Sequence, residues 1–375
     1  MVKNLVKSIL IIFIVPSLAI SAPVVSGVAG VLVDGQQVTV TGFGFGTNGP
    51  NVILFDDFNR GEEGQELSAS ATIGTWSKMK SVSFADSLIS NKKGARCFNE
   101  SGWLNNNTVV FGKVYSEVFI SSIAYVPNGY YMPPNKGQGE DAWPSISCLK
   151  HFWFYYTATG YKTDNDPDLV GFCVNSSTSK YNLFANDYAR ATLNREDDFN
   201  WSWDEPVQLS MWIKGNGTSR EGSDGMIKGV SSLGQSQKNF PEDFYKETDT
   251  WFSSTDNVFG FDRVTVPGFL TGTGDSKANY VVDDVYVAVG EDAAARVELG
   301  NASNYTACTK IAISTPDLWS DKQIVLTVRE GTFKPDENVY LFVVDGNGDY
   351  SVGYGPLIMG QNIGDGKVIG FQYEK

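Results

Sequence analysis

Short runs that alternate apolar and polar residues recur along almost the whole chain, with turn-forming residues between them. The clearest runs cover residues 24–33, 37–41, 108–126, 151–161, 169–174, 207–214, 258–266, 280–289, 311–314, 324–329 and 339–344. A period of two is typical of β-strands, because successive side chains of a strand point to opposite faces. Helical spacing is weak outside a short stretch at residues 241–246. The pattern therefore predicts an all-β protein, and 39 glycines suit its many turns.

Two of these runs separate their side chains into contrasting faces. One face of residues 207–214 is apolar and predicts a core face, and the other mixes hydrogen-bonding groups with an indole: Gln208, Ser210, Trp212 and Lys214. In residues 151–161 the alternation sets Phe152, Phe154 and Tyr156 against His151, Trp153, Tyr155 and Thr157. Because sugars stack on aromatic rings, the pattern predicts a ligand-binding face with Trp153, Tyr155, Gln208, Trp212 and Lys214. In the alternative interpretation, the aromatic residues only fill the core of a two-sheet sandwich.

The first residues have the pattern of a secretory signal. Lys3 and Lys7 precede an unbroken apolar run at residues 9–15, and small residues follow it. The run is too short for a stable membrane span, so we expect residues 1–22 to be a signal peptide cleaved near residues 19–22. The mature protein is then secreted, and lies outside the cell or at the cell surface.

Charge and cysteine content narrow the classes of partner. The formal net charge is −14, which disfavours phosphate backbones and anionic lipid surfaces, so neither nucleic acid nor a membrane is an expected partner. The four cysteines allow up to two disulfides, and Cys148 and Cys173 flank neighbouring strand-like runs. A single histidine and the absence of a CxxC motif argue against a zinc site.

The two ends of the chain carry motifs of one small domain. Residues 38–52 contain a GFGFG turn, residues 311–328 contain Trp319-Ser320-Asp321 followed by an alternating strand, and residues 339–355 close the set. These segments resemble a TIG-type immunoglobulin-like domain. The resemblance implies a discontinuous domain from residues 23–50 and 291–360, with residues 361–375 as a tail or final strand. Residues 38–41 and 324–328 should then lie in one small sandwich, the alternative being two independent β elements.

The middle of the chain, residues 51–290, carries a second set of motifs. They are FDDFN at residues 55–59, WDEPVQLSMWIKGN at 203–216, FGFDRVTVPGF at 259–269 and NYVVDDVYVAVG at 279–290. Together they resemble the concanavalin A-like jelly roll of laminin-G-type lectin domains and of some polysaccharide lyases. The predicted fold class is therefore all-β, with a jelly-roll sandwich and a smaller Ig-like sandwich formed by both chain ends.

The sequence offers little match to the catalytic motifs known for such folds. The E-x-D-x-E triplet of related glycosidases is absent, which argues against a retaining glycosidase. A lyase needs a base, an acid and a group that neutralises the uronate carboxylate. The candidates are His151, Tyr155, Lys180, Tyr181 and Arg190, although none stands in a recognisable motif. In the alternative, His151 caps a strand near solvent and the others are ordinary surface residues.

Two loops have oxygen ligands at spacings that suit a cation. TDNDPD places Asp164, Asp166 and Asp168 together, which predicts either a solvated loop or a structural calcium. DGNGD at residues 345–349 lacks the terminal glutamate of a calcium loop and is expected to be a hairpin turn. No other cofactor is expected.

Taken together, the residues predict a secreted protein that recognises a polysaccharide or a cell-surface glycan, and they favour binding over catalysis. The enzymatic alternative is a polysaccharide lyase acting on a uronate-containing glycan. A third hypothesis is a structural surface or filament subunit that self-associates through edge strands.

Overall fold

The computed structural model describes residues 22–79, 82–86, 92–97, 103–104, 107–125, 148–158, 169–175, 180–186, 199–200, 202, 204–214, 226–231, 234–239, 258–266, 270–271 and 280–364. The first twelve strands are β1 Val24–Gly30, β2 Gln37–Phe43, β3 Asn51–Asp56, β4 Ile73–Gly74, β5 Val82–Asp86, β6 Lys93–Cys97, β7 Trp103–Leu104, β8 Thr108–Tyr115, β9 Glu117–Tyr125, β10 Cys148–Ala158, β11 Leu169–Asn175 and β12 Lys180–Asn186.

The remaining strands are β13 Phe199–Asn200, β14 Pro206–Lys214, β15 Met226–Ser231, β16 Gly234–Asn239, β17 Val258–Thr265, β18 Leu270–Thr271, β19 Tyr280–Val289, β20 Arg296–Gly300, β21 Ile311–Trp319, β22 Gln323–Thr327, β23 Asn338–Val344 and β24 Tyr354–Ile358. A short 3-10 helix, Tyr305–Ala307, is the one helical element among the described residues. The all-β prediction is confirmed. No helix in the described part of the chain is long and apolar enough to cross a membrane.

Strands from both chain ends form one seven-stranded sheet, in the order β1-β2-β22-β21-β20-β23-β24. The pairing of β2 with β22 is direct, since Val38 lies opposite Leu326 and Val40 lies opposite Ile324. These side chains share a buried core with residues from the other half of the sheet, including Leu299 and Val343. We call residues 22–50 and 291–364 the end module. The expected juxtaposition of residues 38–41 with residues 324–328 is present.

Residues between the two halves of the end module form a jelly-roll sandwich of two larger sheets. Six strands are ordered β13-β12-β11-β10-β17-β8, and nine strands include the order β16-β15-β14-β9-β19-β3-β4, with β6 also beside β19. The sheets share a core to which β14 contributes alternate residues: Val207, Leu209, Met211 and Ile213. Phe152 and Phe154 of β10 lie in the same core from the opposite sheet. The predicted core face of residues 207–214 is therefore confirmed.

The end module packs on the outer face of the nine-stranded sheet. Phe119, Trp212 and Tyr286 of that sheet form one buried cluster with Ala294 and Ile313 of the end module. Gly348 has a φ of +82°, and a Cβ added there would lie 2.6 Å from the Trp212 ring. Only glycine fits this contact without strain, because its positive φ and the adjacent ring both exclude a side chain.

Ion pairs join the two parts of the chain beside this apolar contact. Arg329 Nη1 of the end module lies 3.2 Å from Asp57 Oδ2 of the sandwich. Lys92 Nζ lies 3.2 Å from Asp34 Oδ1 and 3.1 Å from Glu330 Oε1 of the end module. Apolar burial and these charged contacts together hold the end module against the sandwich, so Gln208, Ser210 and Trp212 on this outer face are buried.

Candidate functional site

The predicted ligand-binding residues lie on two different sheets. Trp153 and Tyr155 belong to β10 of the six-stranded sheet, whereas Gln208, Trp212 and Lys214 belong to β14 of the nine-stranded sheet. The core-facing residues of both strands point toward each other. Trp153 and Trp212 are consequently on opposite sides of the sandwich, and one open groove containing both does not exist.

Trp212 lies under the end module, and its indole already makes contacts with neighbouring side chains. The side chain is 7% exposed, and its Nε1 donates to Glu117 Oε1 at 2.7 Å. Lys214 Nζ lies 3.2 Å from Glu117 Oε2 and 4.4 Å from the centre of the Trp212 ring. Gln208 and Trp212 are therefore buried under the end module rather than on an open face, while Lys214 stays partly exposed at its edge. Alternation identified the outward residues correctly, but it carries no information on whether another module covers them.

Glu117 makes the stability of this covered face depend on pH. Burial raises the pKa of its carboxyl from 4.5 to about 7, although Lys214 and the Trp212 N–H lower that pKa. The folded protein thus holds this proton more tightly than the unfolded chain does, so the contribution is present below pH 4.5 and is lost as the pH rises through about 7. Burial also raises the pKa of Asp284 to about 7, so the contribution of Asp284 to stability is likewise lost as the pH rises.

We expect the melting temperature of the wild-type protein to fall as the pH rises across this range, and Glu117→Gln to fall less steeply. Glutamine keeps an oxygen for the Trp212 N–H but does not titrate. Thermal melts from pH 4.5 to 7.5 test this, with the exposed Glu62→Gln as the matched control. Parallel profiles for the wild-type protein and Glu117→Gln would contradict the assignment.

His151 is fully buried between the two sheets, contrary to both sequence interpretations. The ladder between β10 and β11 shifts between Lys150 and Trp153, and this bulge turns His151 inward as well as Phe152. Its Nε2 lies 2.7 Å from Ser122 Oγ, and its Nδ1 is hydrogen bonded to the Tyr280 hydroxyl. Burial lowers the pKa of His151 to about 3, so the ring is neutral. In this position His151 cannot reach a polysaccharide, which removes it as a lyase base.

The other lyase candidates do not converge in the backbone. Register places residue 155 opposite residue 169, and residue 180 opposite residue 175 of the same strand. The six steps along the strand from residue 169 to residue 175 correspond to about 20 Å. The side chains of Tyr155, Lys180 and Tyr181, and the whole of Arg190, lie outside the described residues.

The two acidic loops have different outcomes. Asp164, Asp166 and Asp168 lie outside the described residues. Residues 345–349 form the expected turn, in which Asp345 Oδ1 accepts hydrogen bonds from the backbone N–H groups of Asn347 at 2.8 Å and Asp349 at 3.0 Å. Within the described parts of the chain, no group of three His, Cys, Asp or Glu residues is placed to hold a metal.

The outer face of the six-stranded sheet carries a mixed aromatic and charged surface. Trp153 is partly exposed there, and Arg263 is 45% exposed on the neighbouring strand β17. Register aligns residue 153 with Thr265 and residue 155 with Arg263, so Arg263 is a diagonal neighbour of Trp153 on the same face. Exposed Val110 lies opposite Arg263 on β8. We call Trp153, Asp262, Arg263 and Val110 the candidate binding face.

A charged pair defines the polarity of this face. Arg263 Nε and Nη2 donate to the two carboxylate oxygens of Asp262 at 2.9 and 3.0 Å. Thr265 Oγ1 donates to the Trp153 carbonyl oxygen at 3.3 Å, which ties the two strands together beneath the indole. Sequence reasoning missed Arg263. The signal was present, because Arg263 stands next to the core residue Val264 in a predicted strand and therefore faces outward.

Comparison with known proteins yields remote structural likeness alone. No protein-family model and no curated protein matches the chain. Alginate lyase Aly36B has a TM-score of 0.37 and 11% identity over 64% of this chain and 97% of its own. Alginate lyase vAL-1 from Chlorella virus has a TM-score of 0.34 and 9% identity, and the match covers 56% of this chain and 90% of that protein. The catalytic domain of the glycoside hydrolase family 131 protein from Coprinopsis cinerea has a TM-score of 0.29 and 10% identity. That match covers 63% of this chain and 94% of the catalytic domain. At these TM-scores the likeness carries no argument about activity.

Proposed function

We propose that this chain is a carbohydrate-binding protein and that a polysaccharide binds along the candidate binding face. The observation that carries the proposal is the contrast between the two outer faces of the sandwich. The end module covers the face with Trp212, whereas Trp153 on the other face is partly exposed, with its indole Nε1 buried. A partly exposed indole on a sheet is a suitable stacking surface for a sugar ring.

Charge favours a neutral polysaccharide at this face. The Arg263 guanidinium is already compensated by the bidentate contact with Asp262, so it offers little net positive charge to a uronate. The net charge of −14 also opposes a polyanion. The Arg263–Asp262 pair still supplies donors and acceptors for sugar hydroxyl groups. Together with buried His151, this weakens the lyase alternative. Export through the N-terminal signal remains part of the proposal, since polysaccharides of this kind lie outside the cell.

Replacement of Trp153 by alanine is expected to weaken polysaccharide binding at least about tenfold, because the stacking surface is lost. Affinity electrophoresis and pull-downs of the full chain should use β-glucan, xylan and mannan, with alginate and pectate as charged comparators. Phe43→Ala is the matched control, since Phe43 is an exposed aromatic residue of the end module. Its binding should equal that of the wild-type protein.

Two results would overturn this function. In the first, the wild-type protein retains none of the polysaccharides, or Trp153→Ala retains them as well as the wild-type protein does. In the second, incubation with alginate or pectate produces the ultraviolet absorbance of unsaturated uronate ends, which would establish a lyase instead.

A further inference from the structure

Asn-Gly dipeptides occur in the chain at residues 48–49, 128–129, 216–217 and 347–348. An asparagine before glycine is prone to lose its side-chain amide, because the glycine backbone nitrogen can reach the asparagine Cγ without obstruction from a Cβ. The pairs at residues 128–129 and 216–217 lie outside the described residues. Asn48 and Asn347 are both exposed in loops of the end module, so exposure does not separate them. What separates them is the glycine nitrogen.

The glycine nitrogen is available after Asn48 and engaged after Asn347. Among the residues that the structure describes, the Gly49 N–H donates no hydrogen bond. The Gly348 N–H donates to the Asp345 carbonyl oxygen at 3.0 Å, inside the hairpin turn. Attack by the Gly348 nitrogen therefore requires this turn to open first, whereas attack by the Gly49 nitrogen does not. We expect Asn48 to be the more reactive of the two.

Asn48 also links two connections between the end module and the sandwich. The connection from β2 to β3 carries the chain out of the end module, and the connection from β19 to β20 brings it back. The Asn48 amide is hydrogen bonded to the carboxylate of Asp292 in the second connection. Asp292 lies directly against the hairpin turn, since a Cβ added to Gly346 would collide with Asp292 Oδ1. The same turn packs Gly348 against the Trp212 ring, so the Asn48 amide stands at the edge of the interface.

The surroundings of the Asn48 amide are acidic. Burial and the neighbouring Glu291 carboxylate raise the pKa of Asp292, whereas the hydrogen bond from Asn48 lowers it. Buried Asp345 also raises the pKa of Asp292 and adds a further carboxylate. A carboxylate at position 48 would remove a hydrogen-bond donor from this group and add negative charge to it, and like charges repel.

The main chain after Asn48 is closely packed. A Cβ added to Gly49 would lie 2.6 Å from Trp319 Cβ, so the glycine backbone rests directly on that side chain. Trp319 is itself held by its Nε1, which donates to the Phe45 carbonyl oxygen at 3.0 Å. An isoaspartyl residue at position 48 lengthens the main chain by one methylene group, which shifts Gly49 relative to Trp319. Either acidic product at position 48 would therefore disturb existing contacts.

We propose that Asn48 deamidates spontaneously and that its products loosen the contact between the end module and the sandwich. The Gly49 nitrogen, after losing its proton, bonds to Asn48 Cγ. The Cγ–Nδ2 bond breaks and ammonia leaves, which forms a five-membered imide. Water then adds to one of the imide carbonyls and opens the ring, leaving aspartate or isoaspartate. One water is consumed for each ammonia released, and nothing is oxidised or reduced. The inference goes beyond the proposed function and does not rest on it.

Peptide mapping of the full chain, aged in mildly alkaline buffer at physiological temperature, tests the reaction. We expect aspartate and isoaspartate at position 48, formed at least about fivefold faster than at position 347, whose glycine N–H is hydrogen bonded. The rate should rise with pH, because the glycine nitrogen reacts after losing its proton. The inference is overturned if position 48 gives no product, if it gives aspartate without isoaspartate, or if position 347 reacts as fast.

Matched variants test the effect on the fold. Asn48→Ser cannot form the imide, so its melting temperature should fall less on ageing than that of the wild-type protein, whereas Asn347→Ser should age like the wild-type protein. At neutral pH, unaged Asn48→Asp should melt several degrees below unaged Asn48→Ser, since both lack the amide and only aspartate adds a charge beside Asp292. That difference should shrink at high salt. A melting temperature of Asn48→Asp equal to or above that of Asn48→Ser would overturn the proposed loosening.

Discussion

Replacement of Arg296 by methionine is expected to lower the free energy of unfolding by about 3–5 kcal/mol, the range for removing one partner of a buried ion pair. Arg296 is buried where the end module meets the sandwich. Its Nε donates to Glu298 Oε1 at 2.7 Å, and its Nη2 donates to the Tyr305 hydroxyl at 3.0 Å. The guanidinium also lies 4.5 Å from the centre of the Phe119 ring across the interface. Methionine keeps the volume but leaves the Glu298 carboxylate buried without a cation.

Urea unfolding of the full chain measures this effect, and two further variants separate its causes. Lys310→Met removes a cation from the half-exposed pair with Glu337 and should cost no more than about 1 kcal/mol. The double variant Arg296→Met with Glu298→Leu removes both buried charges and should be more stable than Arg296→Met alone. If Arg296→Met is as stable as Lys310→Met, the buried Arg296–Glu298 pair does not have the stabilising role given to it here.

Replacement of Asp56 by alanine is expected to cost about 3 kcal/mol or more of unfolding free energy. Asp56 is fully buried, and it accepts hydrogen bonds from Trp76 Nε1 at 2.7 Å, from the Phe58 backbone N–H at 3.0 Å and from Arg60 Nη2 at 2.9 Å. Alanine leaves the Trp76 and Phe58 donors buried without an acceptor, and each such group costs about 1–3 kcal/mol. The carboxylate therefore organises the segment that follows β3.

The same urea experiment includes Asp56→Asn and Glu62→Ala as controls. Asparagine retains one acceptor oxygen, so its cost should be smaller than that of alanine. Glu62 lies in the same segment but is exposed, and its replacement should change the unfolding free energy by no more than about 0.5 kcal/mol. A stability of Asp56→Ala within that margin of Glu62→Ala would contradict the role given to Asp56.

Much of the fold could be predicted from alternation and turns. The apolar face of residues 207–214 lies in the core, and residues 38–41 pair with residues 323–326 although the whole sandwich separates them in sequence. Such pairing can be predicted from the sequence because each segment has one apolar face that must be buried, and because a long insertion in a loop costs little conformational entropy. The hairpin turn at residues 345–349 was readable for a similar reason, since Asp and Gly favour it locally.

The candidate site was predicted less well, for two physical reasons. A single extra residue in β10 reverses the facing of His151, and no residue type in that run marks the bulge. Coverage of Trp212 depends on where a second module packs, which is a property of tertiary structure rather than of strand periodicity. The polar and aromatic content of the β14 face was real, but it serves the module interface through Glu117 and Gly348.

Hydroxyl-radical footprinting of the full chain tests the central claim most directly. The experiment reads oxidation of Trp153 and Trp212 by peptide mass spectrometry, with and without the polysaccharide that the wild-type protein retains best. We predict that Trp153 is oxidised in the free protein and protected by the polysaccharide, while Trp212 stays protected in both samples. Oxidation of Trp212 in the free protein with protection by the polysaccharide, and an unchanged Trp153, would contradict this account.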